Sequence, residues 1–301
     1  MEKERELTIS NGIKIINAKM IEFWIIKDRR FFEGIFPDII KELIIESTEG
    51  KIQNLRLPSG DNIWIPGVDG QLINLNDNKW LGSKGKIILE IGTTLKTPWV
   101  KIKKDFEKRN TEILDKEKQE TTFIIFSGKI LPSKKKKDFC KENQGKWLDL
   151  KIYDALDLEN WLQECTNTTL YFYEKIEGKK LNYNSLEYAW TNFKKQTNPE
   201  LSTSFLTVGR KDNVEKLKNY IENRNSSHIT IKSLSRTESY GFVLSVLFEY
   251  YQNNNFIIVI NDINTFEEIT KKVSNKIFIL NFYFEQCIFP SNNHYIVFFW
   301  K

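Results

Sequence analysis

Short apolar runs alternate with amphipathic segments along most of this chain. The runs TTFIIFS (121–127), FIIVIND (256–262) and NKIFILNF (275–282) have the length and the β-branched and aromatic content of buried strands. Between them, apolar residues recur at helical spacing, so helices are available to cover the strands. This pattern predicts the α/β class, and 301 residues suffice for two domains that each bury a core.

A helical segment opens the first predicted domain, which spans residues 1–175. Residues 17–47 show apolar residues at helical spacing, most clearly over 39–44, and Pro37 suits the first turn of that stretch. Three strands are expected next, at 51–57, around 63–75 with a sharp bend at Pro66-Gly67, and at 86–94.

The rest of this domain continues the alternation. We expect a basic amphipathic helix at about 98–118, a strand at 121–127, a polar helix at 134–147, a strand at 147–154 and a helix at 155–164. Asp154 is placed to cap the last helix. The order α-β-β-β-α-β-α-β-α predicts a mixed sheet with helices packed over it.

A second, smaller domain is predicted over residues 182–301. Predicted strands, the first at 203–209, alternate with helices there, which favours a doubly wound parallel sheet. The chain stops within an apolar strand, HYIVFFWK, with nothing after it to cover the sheet. That ending suggests a truncated chain or an interrupted gene.

Charge and cysteine content bear on partner and compartment. A net charge of +5 and a pI near 8.8 permit a nucleic-acid partner without requiring one. Cys140, Cys165 and Cys287 form no C-x-x-C pair, which argues against structural zinc and fits a reducing compartment. The N-terminus has no secretory signal, and no apolar run is long enough for a bilayer. A cytoplasmic protein with no membrane partner is expected.

Two acids on neighbouring predicted strands are the main chemical signal. Asp69 lies at the bend of one strand, and Glu90 follows 21 residues later in the next, a separation suited to a hairpin. Gly67 and Gly70 flank Asp69 and allow the backbone to bend. Two carboxylates with substrate phosphate and waters make a sufficient Mg²⁺ site. The alternative is that Asp69 is a turn residue and Glu90 a solvent-facing strand residue.

A series of motifs connects this region to a nuclease family. The string PGVDG, then GSKGKIILEIGTT, then KIKKDFEKR resembles the PD-(D/E)xK nuclease effector domains at the N-termini of bacterial antiviral STAND proteins. Downstream, TTFIIFSG and GKWLDLKIYDALDLENWLQ are similar to the closing strands and helix of that family. The similarity covers roughly residues 20–170 and implies a restriction-endonuclease-like fold.

The resemblance also assigns roles to residues. It implies that Asp69 and Glu90 bind Mg²⁺ or Mn²⁺ and act in catalysis, and that Lys101 is the catalytic lysine of the following helix. Asp105 and Arg109 match the acid and the arginine of the family's helix motif. The implied activity is endonucleolytic cleavage of double-stranded DNA.

One departure affects the catalytic lysine. Gly92 stands two places after Glu90, where the superfamily has a lysine. A cation from the helix could replace it, with Lys101 as the first candidate and Lys103 or Lys104 as the next. The competing hypothesis is that Lys101 only faces solvent on a basic helix.

Basic residues supply a possible DNA surface. Lys104 and Lys108 share a helix face with Lys101, and Lys103 and Arg109 lie towards its flanks, so these four could contact phosphates. The run at 134–137 adds four lysines, for which a solvated loop is the simpler interpretation.

The second domain resembles the start of the NTPase module of STAND proteins, in AWTNFKKQTNPELSTSFLTVGR and IKSLSRTESYGFVLSVLF. The chain has no G-x-x-x-x-G-K-[ST], and Leu234, Ser235 and Arg236 stand where a phosphate-binding loop would lie. Asp262 could hold the Mg²⁺ of a nucleotide or simply begin a turn. An incomplete P-loop-NTPase-like unit is expected, with weak support for nucleotide binding.

The sequence thus predicts a Mg²⁺-dependent endonuclease used as an antiviral defence effector. A homo-oligomer is expected, held inactive until a phage-derived signal or its second module triggers assembly. Two alternatives remain open: a catalytically inactive nuclease fold that binds DNA or scaffolds an oligomer, and an NTP-binding switch in the second domain.

Overall fold

A computed structural model describes residues 15–58, 67–224, 227–252, 256–283 and 288–300, with the side chains of 299 and 300 left aside. The chain divides into two compact units, one formed by Ile16–Glu177 and the other containing residues 178–301. Both units are α/β, each with a mixed five-stranded sheet, as the class prediction required.

The elements of the first unit follow the predicted order. They are α1 (Ala18–Lys27), α2 (Arg29–Ser47), β1 (Ile52–Arg56), β2 (Gly70–Asn74), β3 (Gly85–Gly92), α3 (Pro98–Glu112), α4 (Asp115–Lys118), β4 (Thr121–Ser127), α5 (Ser133–Glu142), β5 (Asp149–Tyr153), α6 (Ala155–Glu164) and α7 (Thr166–Glu177). The predicted strand residues 63–66 lie outside the described residues.

The N-terminal helical segment is two helices. Asp28 separates them, because its side chain accepts a hydrogen bond from the Phe31 amide at 3.0 Å and starts a new helix. The prediction for Pro37 was wrong, since it lies inside α2 and not in a first turn. The 39–44 stretch is helical as its spacing predicted, and its apolar residues are buried.

The first sheet has the order β1-β2-β3-β4-β5. β2 pairs antiparallel with β1 and β3, whereas β3, β4 and β5 run parallel. On one face, Ile88 of β3 packs in a cluster that includes Ile102 and Phe106 of α3. Because alternate strand residues share a face, Glu90 and Gly92 also lie on the face covered by α3.

The helices of this unit begin and end partly where the sequence predicted. Asp154 caps α6 as expected, accepting from the amides of Leu156 and Asp157 at 3.1 Å in a capping box. The predicted helix at 98–118 ends earlier, because Ile113 is extended and separates α3 from α4. Helix α7 had no sequence prediction.

The second unit contains β6 (Tyr183–Ser185), α8 (Leu186–Lys194), α9 (Thr203–Thr207), α10 (Lys211–Asn223), β7 (His228–Ser233), α11 (Arg236–Tyr251), β8 (Ile257–Ile260), α12 (Ile263–Thr270), β9 (Ile277–Leu280) and β10 (His294–Trp300). Its sheet has the order β6-β8-β9-β10-β7. Four strands are parallel, but the edge strand β6 runs antiparallel to β8, so the sheet is not purely parallel as predicted.

The predicted strand at 203–209 is wrong, because residues 203–207 form the short helix α9. Leu206 is its buried residue, whereas Phe205 and Val208 are largely exposed. A single inward-facing residue per turn suits a helix, and the alternate burial of a strand is absent from this segment.

Among the described residues, none of the helices combines the length and apolar character that a bilayer crossing needs.

Candidate active site

Strand register brings the two predicted acids together. β2 and β3 are antiparallel with Gly70 opposite Leu89, so continuing this register by one residue would bring Asp69 opposite Glu90, and the charge of Asp69 acts on the Glu90 carboxyl. Opposed residues of an antiparallel pair project on the same face, with Cβ atoms about 5 Å apart. The Asp69 carboxylate is anchored there, because its Oδ2 accepts a hydrogen bond from the Ile91 amide at 2.7 Å. The hairpin interpretation of the 21-residue spacing therefore agrees with the geometry.

The two glycines around Asp69 have different roles. Gly67 has φ of +137°, a conformation that strains residues with a side chain. Gly70 provides space, since a Cβ there would lie 2.2 Å from Leu57 Cδ1. Together they permit the bend that places Asp69 directly before the first residue of β2.

Lys101 occupies the space next to Gly92. A Cβ added at Gly92 would lie 3.5 Å from Lys101 Cε and 3.7 Å from its Cδ. The stem of Lys101 therefore passes over the position where the superfamily lysine would begin. Its Nζ donates to Asp105 Oδ2 at 2.8 Å, one helical turn further along α3. The Lys101 side chain is 38% exposed, so it lies at the edge of the site with part of its surface in solvent.

Arg109 lies inside the site and not on the helix surface. Its side chain is 5% exposed, and it donates from Nε to Glu90 Oε1 and from Nη2 to the Gly67 carbonyl. Its Nη1 pairs with Glu112. A phosphate contact by Arg109, as the sequence suggested, would require the guanidinium to leave these partners.

The position of Arg109 could have been read from the sequence. It follows Ile102 and Phe106 at helical spacing, and both of those residues are buried. Arg109 therefore belongs to the buried stripe of α3, a signal that the motif comparison alone did not use.

Burial and charge shift the ionisation of the site. The pKa of Glu90 is raised to about 8, first by burial and next by the charge of Asp69, and Arg109 only partly offsets the increase. For Lys101, burial lowers the pKa, but the hydrogen bond and charge of Asp105 together with Asp69 and Glu90 outweigh it, so the net direction is upward. The ammonium thus lies in the field of three carboxylates.

The other basic residues that the sequence singled out lie on α3 and α5. Lys103, Lys104 and Lys108 are exposed on α3. The lysines of the 134–137 run lie in the first turns of α5, where a helix was predicted, and not in a solvated loop. Lys136 forms salt bridges with Asp154 and Asp157 at the N-terminus of α6.

Asp69 and Glu90 are the candidate metal ligands of this site. Within the described residues, no group of three or more histidine, cysteine, aspartate or glutamate side chains could hold an ion. Asp69 and Glu90 nevertheless fit Mg²⁺ or Mn²⁺, which take oxygen ligands and retain several waters beside one or two carboxylates.

In the second unit, the candidate nucleotide residues act as helix caps. Ser235 Oγ accepts from the Glu238 amide at 3.3 Å, and Asp262 Oδ1 accepts from the Thr265 amide at 2.7 Å. Asp262 thus begins α12, in line with the turn interpretation.

Comparison of the chain with family models, with curated proteins and with solved structures found no match. The functional argument consequently depends on the motifs and on the geometry above.

Proposed function

We propose that this protein is a metal-dependent endonuclease that cleaves double-stranded DNA, with Asp69 and Glu90 as the ligands of Mg²⁺ or Mn²⁺ and Lys101 as the catalytic lysine. One observation carries the proposal: the stem of Lys101 lies over Gly92, beside the opposed pair Asp69 and Glu90. In this proposal the helix residue Lys101 takes the place of the lysine that the resembled family carries two positions after the glutamate on the strand.

Each residue has a distinct task in phosphodiester hydrolysis. A bound divalent ion would lower the pKa of water and offset charge on the attacked phosphate. Asp69 and Glu90 would hold that ion. The Lys101 ammonium, held by Asp105, would stabilise the negative charge that develops on the phosphate oxygens.

Plasmid cleavage with isosteric variants tests the metal ligands. D69N and E90Q should each reduce cleavage in Mg²⁺ or Mn²⁺ at least about a hundredfold, since each removes an electrostatic contribution at the reacting centre. EDTA should abolish cleavage by the parent chain, and circular dichroism should show both variants folded. Parent-like cleavage by either variant would refute the metal-site assignment.

A lysine transplant tests the role of Lys101. K101M should lower cleavage strongly while Mn²⁺ binding is retained, and the double variant G92K/K101M should recover part of the activity. Recovery is expected because the Gly92 position lies in van der Waals range of the Lys101 stem. K103M and K104M serve as matched controls, as their side chains are exposed on the same helix. A larger loss in either control than in K101M would move the lysine assignment to that residue.

The exposed lysines of α3 support double-stranded DNA as substrate. Lys103, Lys104 and Lys108 present positive charge on the helix that contributes Lys101. Contacts of this kind are independent of sequence and weaken as salt rises. DNA binding measured without metal should therefore fall steeply with salt.

A second candidate is an inactive nuclease fold that binds DNA or scaffolds an oligomer. The observation in its favour is that no strand lysine follows Glu90 and that Arg109 already occupies one Glu90 oxygen. Salt-sensitive DNA binding without any cleavage in Mg²⁺ or Mn²⁺ would select this candidate.

We also propose that this activity serves cytoplasmic antiviral defence and is released when copies assemble. The support is the sequence resemblance to STAND effectors, together with a second unit that lacks a phosphate-binding loop. The second unit should neither hydrolyse ATP nor bind it at micromolar concentration, which calorimetry measures. Cleavage should rise more steeply than protein concentration, and strict proportionality without an oligomer on sizing would count against assembly.

A further inference from the structure

The buried side chain of Arg109 connects the two segments that carry the candidate metal ligands. Nε donates to Glu90 on β3, and Nη2 donates to the carbonyl of Gly67, two residues before Asp69. The Arg109 side chain is 5% exposed, so its guanidinium is shielded from water. Charge-assisted hydrogen bonds in such a buried environment are strong. One residue of α3 thus reaches both segments.

Protein hydrogen bonds hold one oxygen of each carboxylate in the acid pair. Arg109 holds Oε1 of Glu90, and the Ile91 amide holds Oδ2 of Asp69. Among the described residues, Glu90 Oε2 and Asp69 Oδ1 have no hydrogen-bond partner. Each carboxylate therefore has one oxygen held by a protein hydrogen bond and one oxygen that the protein does not hold.

We propose that Arg109 is the positioning residue of the metal site, which anchors Glu90 through Oε1 and ties down the bend before Asp69, so that each acid offers a single oxygen to the ion. This inference rests on the proposed nuclease function and replaces the phosphate-binding role expected for Arg109. The planar guanidinium donates to the Glu90 carboxylate and to the Gly67 carbonyl at the same time, which a lysine at this position cannot do in the same geometry.

The geometry also explains why two acids suffice. Groups that orient a metal ligand typically contribute about 10–100-fold to metal affinity or activity. With Arg109 and the Ile91 amide in place, both carboxylates are oriented before the ion arrives, so little side-chain entropy is lost on binding.

The test is Mn²⁺ titration of the full chain by calorimetry or electron paramagnetic resonance, with no DNA present. R109K should weaken Mn²⁺ binding at least about tenfold although it keeps the charge. R109Q should weaken it further. K116M removes a charge from an exposed position on α4 and should leave Mn²⁺ affinity within about twofold, as expected where no ligand-orienting contact is lost.

Each outcome decides between hypotheses. Parent-like Mn²⁺ affinity in a folded R109K, together with parent cleavage of plasmid, would overturn the positioning role and leave the nuclease proposal standing. A parent chain that neither binds Mn²⁺ nor cleaves DNA would overturn both. Titrations are made well below the lowest melting temperature of the set. If neither Arg109 variant folds, Arg109 serves the fold itself and the inference is overturned.

Discussion

Lowering the pH should expel the metal from this site. The pKa of Glu90 in the metal-free protein is about 8, because the carboxyl is buried and faces Asp69. Metal binds the ionised carboxylate, so below that pKa the ion must displace a proton. At about pH 6, two units below, only about one molecule in a hundred has Glu90 ionised. Since about half of the molecules have Glu90 ionised at pH 8, the apparent Mn²⁺ affinity should fall about fiftyfold between pH 8 and pH 6, or about 2.3 kcal/mol.

Calorimetry in buffers of different ionisation enthalpy measures both the Mn²⁺ affinity and the number of protons released on binding. Near pH 7 the parent chain should release about one proton per Mn²⁺ bound. The E90Q variant should bind weakly at every pH and release no proton from this position. Mn²⁺ affinity that stays constant from pH 8 to pH 6, without proton release, would refute the assignment of Glu90 as a buried metal ligand.

Further changes test stability and DNA binding. Without divalent metal, the free energy of unfolding should decrease by up to a few kcal/mol as pH rises from about 5 to about 8, because the pKa of Glu90 is higher in the folded state than its ordinary value. The E90Q variant should show a flatter pH dependence in thermal melts. A stability that increases over that range would contradict the prediction. Replacing Lys104 and Lys108 together by alanine should reduce the salt slope of DNA binding by about two, measured by fluorescence anisotropy, and an unchanged slope would place the phosphate contacts elsewhere. Trp161→Ala should cost about 3–5 kcal/mol in urea unfolding, because the side chain is fully buried, with Trp161→Phe as the milder control. Asp154→Ala should cost about 1–2 kcal/mol through loss of the α6 cap, and a smaller loss than for an exposed substitution would disprove the capping role.

Local patterns in the chain were sufficient for most elements of the fold. The strands β3, β4 and β5 and the capped helix α6 lie where alternation, apolar runs and Asp154 placed them. The pairing of Asp69 with Glu90 also follows from local information, because a hairpin register depends on a short separation along the chain. The segment 203–209 misled the same reasoning, since its apolar residues suit a strand but only Leu206 is buried.

The chemistry of the site, by contrast, depends on distances between elements that sequence patterns do not contain. Spacing along the chain predicted that Lys101 is on a helix, but only the packing of α3 on the sheet puts its stem over Gly92. Helix spacing with the neighbouring lysines suggested a phosphate contact for Arg109; its spacing from Ile102 and Phe106 indicates burial, but that its partner is Glu90 follows only from the packing of α3. Periodicity determines which face of an element is apolar; which polar groups meet beneath that face is decided by tertiary packing, because burial and the field of neighbouring charges exist only once the elements are assembled.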